Sequence, residues 1–198
     1  METVTQPCSG VVIGGSAGAL DALNIVLPLL PARFMPPVIV VVHQLSSGPN
    51  LLPGLFALRC AMPVHEAEDK LAVQPGHLYL APPDYHLLLE QDPDTANGVR
   101  LALSVDPPVR FSRPSIDVLF ESAASVWRAR TLGVLLSGAN DDGVRGLALI
   151  RAAGGRAWVQ APQTAVVDTM PQEAIARGAA DRALTLEAIG HGLARLNE

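Results

Sequence analysis

The chain has 198 residues, 49% hydrophobic and 17% charged, which is long and apolar enough for one well-buried core and excludes a disordered chain. Its net charge is −5 and its 14 basic residues are scattered, so it has no basic stripe to grip phosphates, and nucleic acid is not an expected partner. Two isolated cysteines, Cys8 and Cys60, exclude a disulfide framework and a structural zinc site, so no metal or cofactor is expected; with no leader and no apolar run long enough to span a bilayer, the expected location is the cytoplasm, without membrane insertion.

In chain order, Val11 to Gly15 reads as a strand running into a turn. Ala19 to Leu27 follows as a helix with Ala19, Leu23, Val26 and Leu27 on one face, ended by Pro28 and Pro31. Pro37 to Val42 is a strand of almost unbroken apolar, β-branched character, as expected when both faces are covered, and His43 follows it. Leu51 to Cys60 reads as a short helix and Met62 to Ala67 as a third strand. The segments His77 to Ala81, His86 to Glu90 and Val99 to Leu103 are short strands joined by Pro- and Asp-rich turns, a hairpin pattern inserted between βα units. Ser115 stands as the N-cap of a helix to Trp127, and Leu132 to Leu136 is an apolar strand. Gly143 to Ala153 is a helix closed by Gly154 and Gly155. A strand (Arg156 to Gln160), a helix (Met170 to Arg177), a short strand (Ala180 to Thr185) and a helix (Glu187 to Leu196) complete the chain. The alternation predicts an α/β fold: a doubly wound, mostly parallel, Rossmann-like sheet with an inserted antiparallel hairpin. Residues 1–10 form a tail and 11–198 one domain.

The turn Gly14-Gly15-Ser16-Ala17-Gly18 fits G-x-S-x-G, which lifts a serine hydroxyl onto a strand-to-helix corner beside free backbone N–H groups. By itself it fits a phosphate-cradling or purely structural turn as well. In a doubly wound sheet, reactive groups gather beyond the carboxyl ends of the strands. There stand Ser16, His43 and the loop Asn140-Asp141-Asp142-Gly143. A serine needs a histidine to take its proton, and the histidine needs a carboxylate to hold its tautomer. The three residue types therefore point to a Ser-His-Asp hydrolase, against the plainer reading of a crowded polar rim.

The blocks Val11 to Ala19, Val41-Val42-His43-Gln44, Leu78-Tyr79-Leu80-Ala81-Pro82 with His86, Arg113 to Phe120, Leu136 to Gly143 and Met170-Pro171 resemble, in order, the catalytic domain of the chemotaxis protein-glutamate methylesterases. The resemblance runs from about Val11 to Ala183 and implies a doubly wound α/β fold. It implies hydrolysis of γ-glutamyl methyl esters on the cytoplasmic helices of chemoreceptors, with release of methanol; some members also deamidate receptor glutamines. It places the nucleophile on Ser16, the base on His43 and the acid on Asp142 rather than Asp141. The chain departs from the family pattern at Ala17, Ala19 and Gly138-Ala139-Asn140, where the family shows Gly-Met-Gly with the methionine associated with the oxyanion hole. Family members commonly carry a receiver domain ahead of the catalytic one; only about ten residues precede Val11 here. The expectation is an open site that phosphodonors alone do not change, with control by a separate receiver protein docking near Ser16 and His43 on the apolar loop Leu45 to Leu55.

Other polar residues read more plainly. His65, His77 and His191 are expected as partly buried structural histidines, His86 as a group orienting a neighbour, Asp141 as exposed or one step removed from the chemistry, and Trp127, Trp158, Met35 and Met62 as packing. Two other functions stay open. A nucleotide-binding module would use the same first turn, although Ser16 breaks G-x-G-x-x-G and His43 stands where an acid is needed. A catalytically weak receptor-binding adaptor would keep the fold without the turnover.

Overall fold

The structure, a computed structural model, describes residues 7–44 and 50–197. Strand β1 (Gly10–Gly15) leads through α1 (Ala19–Val26) to β2 (Val38–Val42), and α2 (Leu52–Ala57), β3 (Val64–Glu66) and β4 (Leu78–Leu80) follow. Next come β5 (His86–Gln91), β6 (Val99–Ser104), α3 (Ile116–Trp127) and β7 (Thr131–Leu135). The chain ends with α4 (Val144–Ala152), β8 (Arg156–Gln160), α5 (Thr169–Ala176), β9 (Arg182–Leu184) and α6 (Leu186–Ala194).

Seven strands form one sheet in the order β3-β4-β2-β1-β7-β8-β9, with every neighbouring pair parallel. Strands β5 and β6 form a separate antiparallel hairpin. The expected doubly wound sheet with an inserted hairpin is therefore present, with one difference. The first of the three short middle segments, β4, belongs to the parallel sheet beside β2. Leu78, Tyr79 and Leu80 are all buried, which suits a strand covered on both faces; the hairpin strand β5 buries His86, Leu87 and Leu89 and leaves Gln91 exposed.

Side chains of the central strands alternate between two cores. Val11, Ile13, Val38, Val40 and Val42 pack with Leu23 and Val26 of α1 and Ile189 and Leu193 of α6. Val12, Ile39 and Val41 pack with Ile116 and Phe120 of α3, Leu147 and Ile150 of α4, and Leu87 and Leu101 of the hairpin. This two-residue period is what a sheet with helices on both faces requires. The chain leaves β1 toward β2 on one side and later returns to β7 on its other side, so strand order reverses at β1. A crevice opens beyond the carboxyl ends at such a reversal. The helix expected over Leu51 to Cys60 ends at Ala57, because the chain tightens there into a turn in which the Arg59 and Cys60 N–H groups both donate to the Phe56 carbonyl.

Helices α3 and α4 meet closely at Gly146. A Cβ there would stand 2.5 Å from the Phe120 Cβ and 3.0 Å from the Asp117 carbonyl oxygen. Gly146→Ala gains up to about 1 kcal/mol of helix propensity, but overpacking against a helix backbone costs about 1–3 kcal/mol. The expected net result is a lower urea midpoint, and a midpoint at or above wild type would show that the two helices separate freely.

Candidate active site

Ser16 follows β1 directly. Its N–H donates to the Ser137 carbonyl (2.9 Å) beyond β7, and the His43 N–H donates to the Gly15 carbonyl (3.1 Å) from beyond β2. Because Gly15 pairs with Val42 in the parallel register, Ser16 and His43 are the residues that follow directly on two adjacent strands. Ser16 is half-buried, and its hydroxyl has no hydrogen-bond partner among the described residues. The N–H groups of Ala17 and Ala139, both exposed, are likewise unengaged there. Gly138 lies against the serine: a Cβ on it would meet the Met170 side chain at 2.5 Å and the Ser16 Cβ at 3.1 Å, so only glycine lets the β7 loop pass so close.

His43 Nε2 lies 2.8 Å from Asp142 Oδ2. Asp142 is fully buried and accepts three further hydrogen bonds: Ile116 N–H on Oδ2 (2.7 Å), and Asp117 N–H (3.0 Å) and the Ser115 hydroxyl (2.8 Å) on Oδ1. Burial alone would push its pKa up, but the hydrogen bonds from His43, Ile116, Asp117 and Ser115 outweigh that and hold it below the usual carboxylate value. The positive end of α3 acts in the same direction. An ionised carboxylate only accepts, so Nε2 carries the imidazole proton and Nδ1 presents its lone pair. Ser112 Oγ lies 3.3 Å from that Nδ1.

Ser115 occupies the expected N-cap position of α3, with extended backbone, but it makes no cap hydrogen bond of its own. Asp142 supplies the cap from across the fold, and the Ser115 hydroxyl is turned onto that carboxylate. Asp117 returns the exchange: its Oδ1 accepts the Gly146 N–H (2.8 Å) in the first turn of α4. Each helix is thus capped by an aspartate from the other's segment. Asp117 is 1% exposed, and its pKa is raised, first by burial and then by the charge of Asp142, against the opposing hydrogen bond from Gly146 and the Arg145 charge. Gly143 makes the Asp142 turn possible: its φ is +91°, and a Cβ would stand 2.6 Å from the Ile116 Cγ2. Asn140 Oδ1 accepts the Asp142 N–H (3.1 Å), so this departure from the family's glycine ties the loop instead of loosening it.

The adjacent acids are clearly separated. Asp141 is 20% exposed and pairs with Arg110 (2.5 Å) and Arg177 (3.0 Å), away from His43. His86 is buried as an orienting group: its Nδ1 accepts the Ser115 N–H (3.2 Å) while Nε2 meets the Pro107 carbonyl (3.2 Å). His65 on β3 and His77, just before β4, bond to each other (2.9 Å). His191 departs from the expectation of a partly buried histidine; it is exposed, on the face of α6 opposite Leu186, Ile189 and Leu193. The sequence reading gave no role to Ser112 or Asp117. The only signal for Asp117 was its place in the Arg113 to Phe120 block, and Ser112, one residue outside that block, had none.

A pocket of about 260 Å³ opens beside His43, lined by Gln44, Asp84, Pro108, Phe111, Ser112, Arg113 and Pro114. A larger groove, about 1010 Å³, lies at the opposite end of the sheet, where Pro37 and Cys8 border the amino ends of the strands, and has no part in this arrangement.

The sequence profile of the CheB methylesterase family matches residues 11–193, and the chain belongs to that family. A Leptospira interrogans protein, provisionally named protein-glutamate methylesterase/protein-glutamine glutaminase, is 40% identical over 188 residues, covering 95% of this chain and 94% of that protein. A Xanthomonas oryzae protein-glutamate methylesterase/protein-glutamine glutaminase is 41% identical over 90% of this chain, which spans 50% of its length. The crystal structure of the Thermotoga maritima CheB methylesterase catalytic domain superposes with a TM-score of 0.90 at 32% identity, covering 96% of this chain and 98% of that one.

The depressed Asp142 pKa has a definite sign for stability. Because the folded value lies below the unfolded one, the ionised carboxylate stabilises the fold above about pH 4, and this is lost as pH falls from there through the depressed value. At neutral pH Asp142→Asn is expected to cost about 1.5–3 kcal/mol in urea unfolding, a gap that closes on acidification below about pH 4. An undiminished gap at low pH would mean that the carboxylate is not held ionised.

Proposed function

We propose that this chain is a serine hydrolase that removes methyl esters from glutamate γ-carboxylates on the cytoplasmic helices of chemoreceptors, and deamidates glutamines at the same site. The observation that carries the reading is the buried, four-fold hydrogen-bonded Asp142 on His43 Nε2, on the strand next to the unengaged Ser16 hydroxyl. The family and the names of its relatives support the substrate class.

In this mechanism Ser112 Oγ yields the Nδ1 lone pair, and His43 Nδ1 takes the Ser16 proton as Oγ attacks the ester carbonyl. Asp142 stays ionised and stabilises the imidazolium. The negative oxygen of the tetrahedral intermediate is met by the unengaged N–H groups of Ala17 and Ala139. Collapse expels the methoxy group, which takes the proton from Nδ1 and leaves as methanol. Water, activated by the same nitrogen, then attacks the acyl-serine and releases the glutamate carboxylate with Ser16 restored. With glutamine, the leaving group is ammonia.

A separate receiver protein is the partner proposed to control access, docking near the Ser16 and His43 rim on Leu45 to Leu55. Residues 45–49 of that loop lie outside the described residues; Leu51 is exposed. The cytoplasm is the proposed location, and no described helix is long and apolar enough to cross a membrane.

Methanol release from methylated receptor fragments tests the reading and separates it from a receptor-binding adaptor. Ser16→Ala and His43→Gln should each abolish nearly all turnover, and the double variant should lose little more, because such residues act as a unit. Asp142→Asn is expected to cost on the order of 10⁴-fold in rate, while Asp141→Asn stays within a few-fold of wild type. Additive losses, or the reverse ranking of the two aspartates, would refute the assignment.

A further inference from the structure

The pocket beside His43 carries on its lip a turn that the mechanism does not use. Val109 and Ser112 exchange both backbone hydrogen bonds (3.1 and 2.9 Å), closing a two-residue turn around Arg110 and Phe111. Both central residues have positive φ, +48° and +63°. That conformation belongs to the type I′ turn, where Asn and Gly are the usual occupants and a bulky aromatic is an outlier. The Phe111 side chain is also fully exposed, at 103% of its reference area. The fold thus keeps a phenylalanine where both its backbone and its ring are unfavourable, and backbone strain of this kind clusters at ligand clamps and active sites.

The turn is held firmly. Arg110 reaches inward to Asp141 (2.5 Å) and Asp117 (3.7 Å), on either side of Asp142 in the fold, and Ser112 Oγ meets His43 Nδ1 (3.3 Å). The backbone that carries Phe111 is therefore tied on both sides, to the Asp141 loop and to His43. A glutamyl side chain carries its ester at the end of a flexible stem, so the residues flanking it stay outside the site, and the turn beside His43 is a surface the structure offers them there. The apolar groups on that lip are Pro108, Phe111 and Pro114.

We propose that Phe111 is a specificity-determining residue: it packs against an apolar side chain flanking the target glutamate, so that a protein-borne ester is preferred to a free one. This inference rests on the methylesterase reading of the site. An exposed aromatic that becomes buried at the centre of a contact commonly dominates its energy.

The test compares the whole chain with Phe111→Ala and Phe111→Trp on a methylated receptor fragment and on N-acetylglutamate γ-methyl ester. For Phe111→Ala, KM for the fragment should rise about tenfold with kcat moving less than about twofold, and the preference for fragment over small ester should fall about tenfold. Phe111→Trp should keep most of that preference. A preference retained by Phe111→Ala, a loss shared equally by both substrates, or a Phe111→Trp variant as impaired as Phe111→Ala would overturn the inference while leaving the esterase reading standing. If wild type hydrolyses neither substrate, the reading of the site fails and this inference with it.

Discussion

Asp142 at the amino end of α3 is the contact on which the site depends. A fully buried carboxylate is costly to ionise unless its lone pairs are filled, and here two backbone N–H groups, one hydroxyl and one imidazole fill them. The same bonds satisfy donors that α3 would otherwise leave orphaned. One interaction thus caps a helix, keeps an acid charged and turns a histidine so that Nδ1, which Ser112 Oγ meets, faces the pocket. Asp117 secures this from the other side by capping α4, so α3 and α4 cannot slide without breaking both exchanges.

The position of this contact in the fold explains why it is available. Strand order reverses at β1, so the loops after β1, β2 and β7 converge, and only the close approach at Gly14, Gly138 and Gly143 lets them do so. Ile116 fills the space that Gly14 and Gly143 leave, and a Cβ on either would collide with its Cγ2, while Met170 stands over Gly138. The start of α3 is therefore wedged against β1 and against the Asp142 turn, and the core and the site share one set of contacts.

The surrounding polar groups divide between holding and waiting. His86 fixes the backbone of Ser115 with both ring nitrogens engaged, and Arg110 ties the lip of the pocket to the loop carrying Asp141. Ser16 and the N–H groups of Ala17 and Ala139 have no internal partner among the described residues. In the proposed mechanism these are the groups that acyl transfer uses, donors whose orientation is set before substrate arrives.

Periodicity and local chemistry made much of this legible in the sequence. The β-branched runs Val11 to Ile13 and Val38 to Val42, and the helical spacing of Ile116, Leu119, Phe120 and Ala123, determined the strands, the helix and their burial. The rule for doubly wound sheets then brought Ser16, His43 and the Asn140 to Gly143 loop to one rim. Assigning Asp142 over its neighbour came from the resemblance; local sequence treats two adjacent acids alike, and only the turn at Gly143 separates one that points inward to α3 from one that meets two arginines. The same limit hid the cap exchange, the Ser112 contact and the exposed Phe111. Hydrophobic patterning records which face of an element is buried, whereas these features depend on which polar atom of one segment meets which atom of another, and that is decided only when the segments pack.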